Sequence, residues 1–166
     1  MGRREADVKR GFAIRRAGTW NAAAAIDRVV LGAADRHRRR IVLKGERGSE
    51  FLLDLDEAVA MRDGDGIVLD DGAVVLVAGE PESLVAVAAR KPLDLVRLAW
   101  HLGNRHTDVQ IADDGLRIRR DHVLEDMLRG LGATVTPLDA PFDPEAGAPR
   151  DGHDHHHEHH RGHDHG

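Results

Sequence analysis

The amino-acid sequence predicts two small domains, an all-β domain followed by an α+β domain, with a histidine-rich tail behind them. Three observations carry this. Short β-branched runs separated by Asp-Gly and Gly-Ser turns fill the first half of the chain. Near residue 92 the apolar pattern changes to a helical period. The last 20 or so of the 166 residues are mostly His, Asp and Gly and cannot build a core. What remains is enough chain for one ordinary domain or two small ones.

Composition narrows the classes. Hydrophobic residues make up 41% of the chain, but aromatics only 3% and Tyr is absent, so the core must be aliphatic. No cysteine is present, which removes disulfides and thiolate metal sites. No apolar run nears the roughly 20 residues that span a bilayer. The opening "MGRREADVKRGFAIRR" has charges without an apolar block behind them, so it does not read as a secretory signal. A cytoplasmic protein with no membrane partner is expected. The net charge of −5 is uneven, +7 over residues 1–50 and −12 over 51–166. The basic run "RHRRR" (36–40) raises nucleic acid as a partner. No aromatic residues interleave it and no recognised nucleic-acid module follows, so a solvated strand edge or turn is expected instead.

In chain order, residues 1–24 look like an irregular extension. Residues 25–79 read as the β domain. "AIDRVVLG" and "RRIVLKG" are strands, "ERGSEFLLDL" places a Gly-Ser turn between apolar runs, and "RDGDGIVLDDGAVVLVAG" repeats the device around Asp-Asp-Gly. "GEPES" (79–83) is a linker. Residues 84–145 read as the second domain. "LVAVAAR" is a strand. "KPLDLVRLAWHLGNRH" is a helix, with Pro92 in its first turn, Leu95, Leu98, Ala99 and Leu102 as its apolar stripe, and Gly103 as its stop. "DVQIA" and "GLRIRR" are strands joined at Asp-Asp-Gly. "DHVLEDMLRGLG" is a second helix with Asp121 as N-cap, and "ATVTPLDAPF" closes with a strand. The order β-α-β-β-α-β predicts a ferredoxin-like fold. Residues 146–166 are expected to be disordered.

Chemistry concentrates in the histidines. Eight of the twelve lie in the tail: His153, His155, His156, His157, His159, His160, His163 and His165. Neutral imidazole is a borderline ligand suited to Ni, Zn and Cu. Asp154, Glu158 and Asp164 add carboxylates between them. The run is broken by Asp, Glu, Arg and Gly, unlike an uninterrupted affinity tag. Such a tail collects several ions without imposing a geometry. His106 follows the first helix and becomes a useful metal ligand only if two copies meet across a two-fold axis. His101 is five residues earlier, about 140° around a regular helix, and reads as structural. His122, opening the second helix, is a second candidate. His37, in the basic run, reads as exposed and unspecialised.

"WHLGNRHTDVQI", "DHVLEDMLRGLGATVTPLDAPFDPEAGA" and "RGSEFLLDLDEAVAMRDGDGIVLDDG" together resemble the urease accessory nickel metallochaperone family, UreE, over roughly residues 38–147. The resemblance implies a homodimer, a first domain like a peptide-binding chaperone module, and a second domain like ferredoxin-like copper chaperones. It puts the family's interfacial metal histidine on His106. A further family segment that in some members carries two histidines falls on "RRDH", where His122 keeps one and Arg120 replaces the other, weakening a site there. The implied cargo is Ni²⁺, with Zn²⁺ or Cu²⁺ as substitutes in vitro. The implied partners are apo-urease and the urease accessory GTPase complex.

Three functions stay in play. A nickel carrier for assembly of the urease metallocentre leads, and it is not an enzyme. No Gly-x-Ser-x-Gly and no phosphate-binding Gly-Lys motif occurs in the sequence. A general Ni/Zn storage or buffering protein is the second, and a peptide-binding interaction adaptor the third. A metallohydrolase is disfavoured, because no clustered ligand set with a neighbouring base is visible.

Overall fold

The structure, a computed structural model, describes residues 8–146. The expected disorder of the tail and all eight tail histidines lie outside the described residues.

The first sheet holds six strands: β1 (Lys9–Arg15), β2 (Asp27–Leu31), β3 (His37–Lys44), β4 (Glu50–Ala60), β5 (Gly66–Leu69) and β6 (Val74–Gly79). Their order is β2-β6-β5-β1-β4-β3. β1 runs parallel to β4, and β2 parallel to β6. Alternation decides which side chains turn inward, as in β2, where Asp27, Val29 and Leu31 are buried between exposed neighbours. Val29, Leu53, Ile67, Val75 and Val77 form the centre of its core, aliphatic as expected apart from the buried ring of Phe51. The Gly-Ser and Asp-Asp-Gly turns join β3 to β4 and β5 to β6 as expected.

β1 corrects the expectation of an irregular segment over residues 1–24. "KRGFAIR" reads as broken because Gly11 sits in its middle. That glycine is required by packing, since a Cβ there would stand 2.6 Å from Ile67 Cγ2. β1 lies between β4 and β5, near the middle of the sheet.

Two buried carboxylates organise the loops. Asp27 accepts backbone N–H groups of Arg28 (2.7 Å), Arg47 (2.9 Å) and Ser49 (3.0 Å), closing the β3–β4 turn. Burial alone would raise its pKa. The donors, led by the Arg47 N–H, outweigh burial and hold the carboxyl well below the usual range. Asp65 accepts from Arg16 Nη1 (2.7 Å) and from the N–H groups of Ala17 (2.9 Å) and Arg62 (2.8 Å). This pins the segment after β1 to the β4–β5 loop.

The second sheet holds β7 (Glu82–Ala88), β8 (Gln110–Ala112), β9 (Gly115–Arg119) and β10 (Thr134–Ala140), all antiparallel, in the order β10-β7-β9-β8. Helices α1 (Pro92–Asn104) and α2 (His122–Gly130) complete a β-α-β-β-α-β unit. β7 begins at Glu82, opposite Ala140, so only residues 80 and 81 separate it from β6 and the linker is shorter than expected. Leu98 and Leu102 of α1 and Leu128 of α2 pack with Val85, Val87 and Ile118 of the sheet. Asp121 caps α2, accepting from Val123 N–H (2.9 Å) and Leu124 N–H (3.0 Å), an arrangement worth about 1 kcal/mol. Pro137 is tolerated because β10 is an edge strand.

Candidate metal site

His106 is placed by the way α1 ends. The helix runs through Gly103 and stops at Asn104, one residue beyond the expected stop. The Arg105 and Thr107 N–H groups both bond Leu102 O (3.1 and 3.3 Å), and His106 N–H bonds Gly103 O (3.1 Å). This turn needs a left-handed residue, and His106 takes that position with φ 53°. It is the only non-glycine with positive φ among the described residues. Histidine tolerates this region better than most residues, but it still carries strain. The imidazole is exposed and makes no hydrogen bond among the described residues. It stands at the carbonyl end of α1, where the helix dipole favours a cation.

The outward face of α1 carries a second apolar stripe. Leu93, Val96 and Trp100 are 59%, 64% and 64% exposed at spacings of three and four. Gly103 continues the stripe toward His106, with nothing within 4 Å of where its Cβ would be. His101 is half-buried, its ring edge-on to Trp100 at 5.1 Å, in a hollow with Asp94, Arg97, Leu98 and Leu131.

His122 opens α2, exposed, in a depression shared with Ser83, Arg120, Asp121 and Glu125. Arg120 Nε donates to Glu125 Oε1 (2.9 Å), and Arg129 Nη2 reaches Glu125 Oε2 (3.4 Å). The Arg120 hydrogen bond, with help from Arg129, holds the buried Glu125 carboxyl below its ordinary range despite desolvation. The Arg120 cation beside His122 opposes a metal ion there. His37 opens β3, exposed, at a crevice with Arg36, Met61, Phe142 and Glu145. Among the described residues no three His, Asp or Glu side chains stand together to hold a metal. The structure therefore does not gather His37, His101, His106 and His122 into one site.

Two features went unread in the sequence. The Leu93–Val96–Trp100 spacing was legible as a second stripe on α1. Arg36 was not legible. It sits in the basic run, yet it is only 4% exposed, pairs with Asp143, and donates from Nη2 to Phe142 O (2.6 Å).

A family model described as UreE urease accessory protein, N-terminal domain, matches residues 13–78, and one for the C-terminal domain matches residues 82–166. The chain belongs to the UreE family. A urease accessory protein UreE from Rhodopseudomonas palustris (strain BisB18) is 57% identical over 129 residues, covering 78% of this chain and 61% of that protein. One from Bradyrhizobium sp. (strain ORS 278) is also 57% identical over 129 residues, with 78% and 61% covered. One from Chelativorans sp. (strain BNC1) is 50% identical over 145 residues, with 85% and 89% covered. The chain thus spans about three fifths of the first two relatives. The two matches part between β6 and β7, where the two sheets part. The match to the UreE N-terminal domain begins inside β1, in keeping with that strand's place in the first sheet.

Proposed function

We propose that this chain is a nickel carrier that supplies Ni²⁺ to apo-urease, together with the accessory GTPase complex, in the cytoplasm. The observation that carries the reading is His106: an exposed imidazole in a strained backbone position at the end of a helix whose outward face is apolar. A second copy docked on Leu93, Val96 and Trp100 buries that stripe and brings two His106 side chains toward a shared two-fold axis. Two imidazoles bind Ni²⁺ directionally and leave its other positions to exchangeable ligands. Few protein ligands favour release, which a carrier needs. The UreE membership supports the urease context, and the absence of a catalytic constellation in the sequence supports a carrier rather than an enzyme.

The tail histidines from His153 to His165 act as the collecting arm, and His122 contributes little beside Arg120. Zn²⁺ and Cu²⁺ suit the same donors, so both bind in vitro. The composition of the tail favours storage as the alternative.

A Ni²⁺ titration of the full chain, the chain lacking residues 150–166, and His106→Ala, with mass measured in each state and urease activation as the readout, separates the two. A carrier keeps one tight site per dimer without the tail and loses it in His106→Ala. A store loses nearly all binding with the tail and none with His106, and that outcome would end the carrier reading.

A further inference from the structure

Residues 141–146 leave β10 as a strap that touches both domains. On the second domain, Phe142 is buried beneath the Arg119 guanidinium at 4.7 Å. The Asp143 N–H donates to Gln110 Oε1 (3.2 Å), and the Glu145 N–H bonds Val109 O at 2.8 Å. On the first domain, Pro141 packs against Gly79, where a Cβ would stand 2.6 Å from the proline Cβ. Arg36 donates from Nη1 to Asp143 Oδ1 and from Nη2 to Phe142 O (2.6 Å). The Asp63 N–H reaches Asp143 Oδ2 at 3.4 Å, and Asp63 Oδ1 accepts from the Gly79 N–H (2.9 Å). One oxygen of the Asp143 carboxylate therefore holds the β2–β3 turn and the other the β4–β5 loop, while the N–H of the same residue holds β8.

Little else joins the domains. Their apolar cores are separate clusters, and Phe142 belongs to neither. Among the described residues, no strand of the first sheet packs at length on a strand or helix of the second domain. Only Glu80 and Pro81 lie between β6 and β7, and each side of this connection is pinned to its own sheet. The Glu80 N–H bonds Leu31 O (2.9 Å), and Glu82 pairs with Ala140. A junction with so little apolar contact lets domains turn unless something specific holds them. The Arg36 side chain is only 4% exposed and that of Asp143 15%, so water competes weakly for the pair. A forked, charge-assisted grip of this kind fixes direction as well as distance. Among the described residues Asp143 is the only carboxylate paired with Arg36, so its loss leaves a buried cation unbalanced. We propose that the strap is a latch between the two domains, with Arg36 and Asp143 as its bolt. Engaged, it makes the two domains one body; released, it lets them turn about Pro81. The latch stands apart from the nickel-carrier reading. Because the strap ends on Val109, three residues after His106, it also fixes how the first domain faces that end of α1.

The test is backbone residual dipolar couplings of the metal-free full chain in four forms: native, Asp143→Ala, Arg36→Gln, and Arg38→Gln as a control from the same basic run. In the native protein a single alignment tensor is expected to fit both domains. In Asp143→Ala and Arg36→Gln each domain's couplings still fit its own fold, but the common tensor is lost and the Asp143 and Glu145 amides exchange faster. Arg38→Gln, whose side chain reaches only Asp35 (3.4 Å), keeps the common tensor. Separate tensors in the native protein overturn the proposal, and so does a common tensor retained in Asp143→Ala. Faster amide exchange with the common tensor intact makes the strap local packing rather than a latch, and the proposal falls. Loss of the common tensor in Arg38→Gln as well shows that the effect does not belong to this pair, with the same result. Should Arg36→Gln unfold the first domain, Asp143→Ala changes only the more open partner, on the strap, and decides by the same criteria.

Discussion

Replacing His106 by glycine is expected to remove the metal site and stabilise the fold together. His106 holds φ 53° with an exposed side chain and no hydrogen bond to lose among the described residues. A left-handed conformation costs an L-residue roughly 1–2 kcal/mol, and glycine pays almost none of it. Glycine in turn makes the unfolded chain looser, which costs about 0.5–1 kcal/mol. The balance favours His106→Gly by about 0.5–1 kcal/mol, or a melting temperature higher by about 1–4 °C. His106→Ala keeps the strain and should leave stability near the native value.

The measurement is urea unfolding of the metal-free protein at one fixed concentration, followed by a Ni²⁺ titration of the same samples. The gain in stability and the loss of the tight site must appear together in His106→Gly, while His106→Ala shows only the loss. A glycine variant less stable than native by more than about 0.5 kcal/mol refutes the reasoning, since the imidazole would then be contributing contacts rather than bearing strain.

Asp27→Asn removes a buried charge that accepts three backbone N–H groups and should cost about 3 kcal/mol at neutral pH. Because the folded pKa is depressed, that stability is present above the unfolded value of about 3.9 and is lost as pH falls below it. Thermal scans between pH 7 and pH 3 should therefore show the variant and native curves converging toward acid, and a constant gap would contradict the assignment. Trp100→Glu puts a charge into the exposed stripe of α1 and should move the protein to monomer in sedimentation at micromolar concentration, with weaker Ni²⁺ binding. Deleting residues 150–166 should lower the number of ions bound while the metal-free melting temperature stays within about 2 °C, since eight imidazoles leave and no described core residue does.

Much of the fold was legible because its signals are local. Asp121 as N-cap, Pro92 at the first turn of α1, and the stripe of Leu95, Leu98, Ala99 and Leu102 all depend on neighbours within one helical turn. β1 was not legible because its decisive partners are distant. Gly11 reads as a breaker from its neighbours and as a packing requirement only once Ile67 and Phe51 face it. Arg36 is the sharper case. Nothing separates it from Arg38, Arg39 and Arg40 in sequence, and its burial follows from a strap more than 100 residues later. His106 shows the limit for sites. Its position after the helix was readable, but Gly103 was the expected turn residue, and only the backbone shows that His106 bears the left-handed angle.

That strain and the proposed carrier role point the same way. A histidine kept where glycine would be more stable is a local rule broken, and such breaks are expected where function requires the side chain. The same reasoning applies to the outward face of α1. Leu93, Val96 and Trp100 gain nothing from solvent, and together they form a contiguous apolar strip leading to His106. Burying the strip against a second copy relieves the exposure and positions the imidazole in one step. In the proposed dimer, association and metal binding then depend on one helix. Substitutions on that face should change oligomeric state and Ni²⁺ affinity in proportion, whereas changes at His101, half-buried in the hollow with Leu98 and Leu131, should change neither.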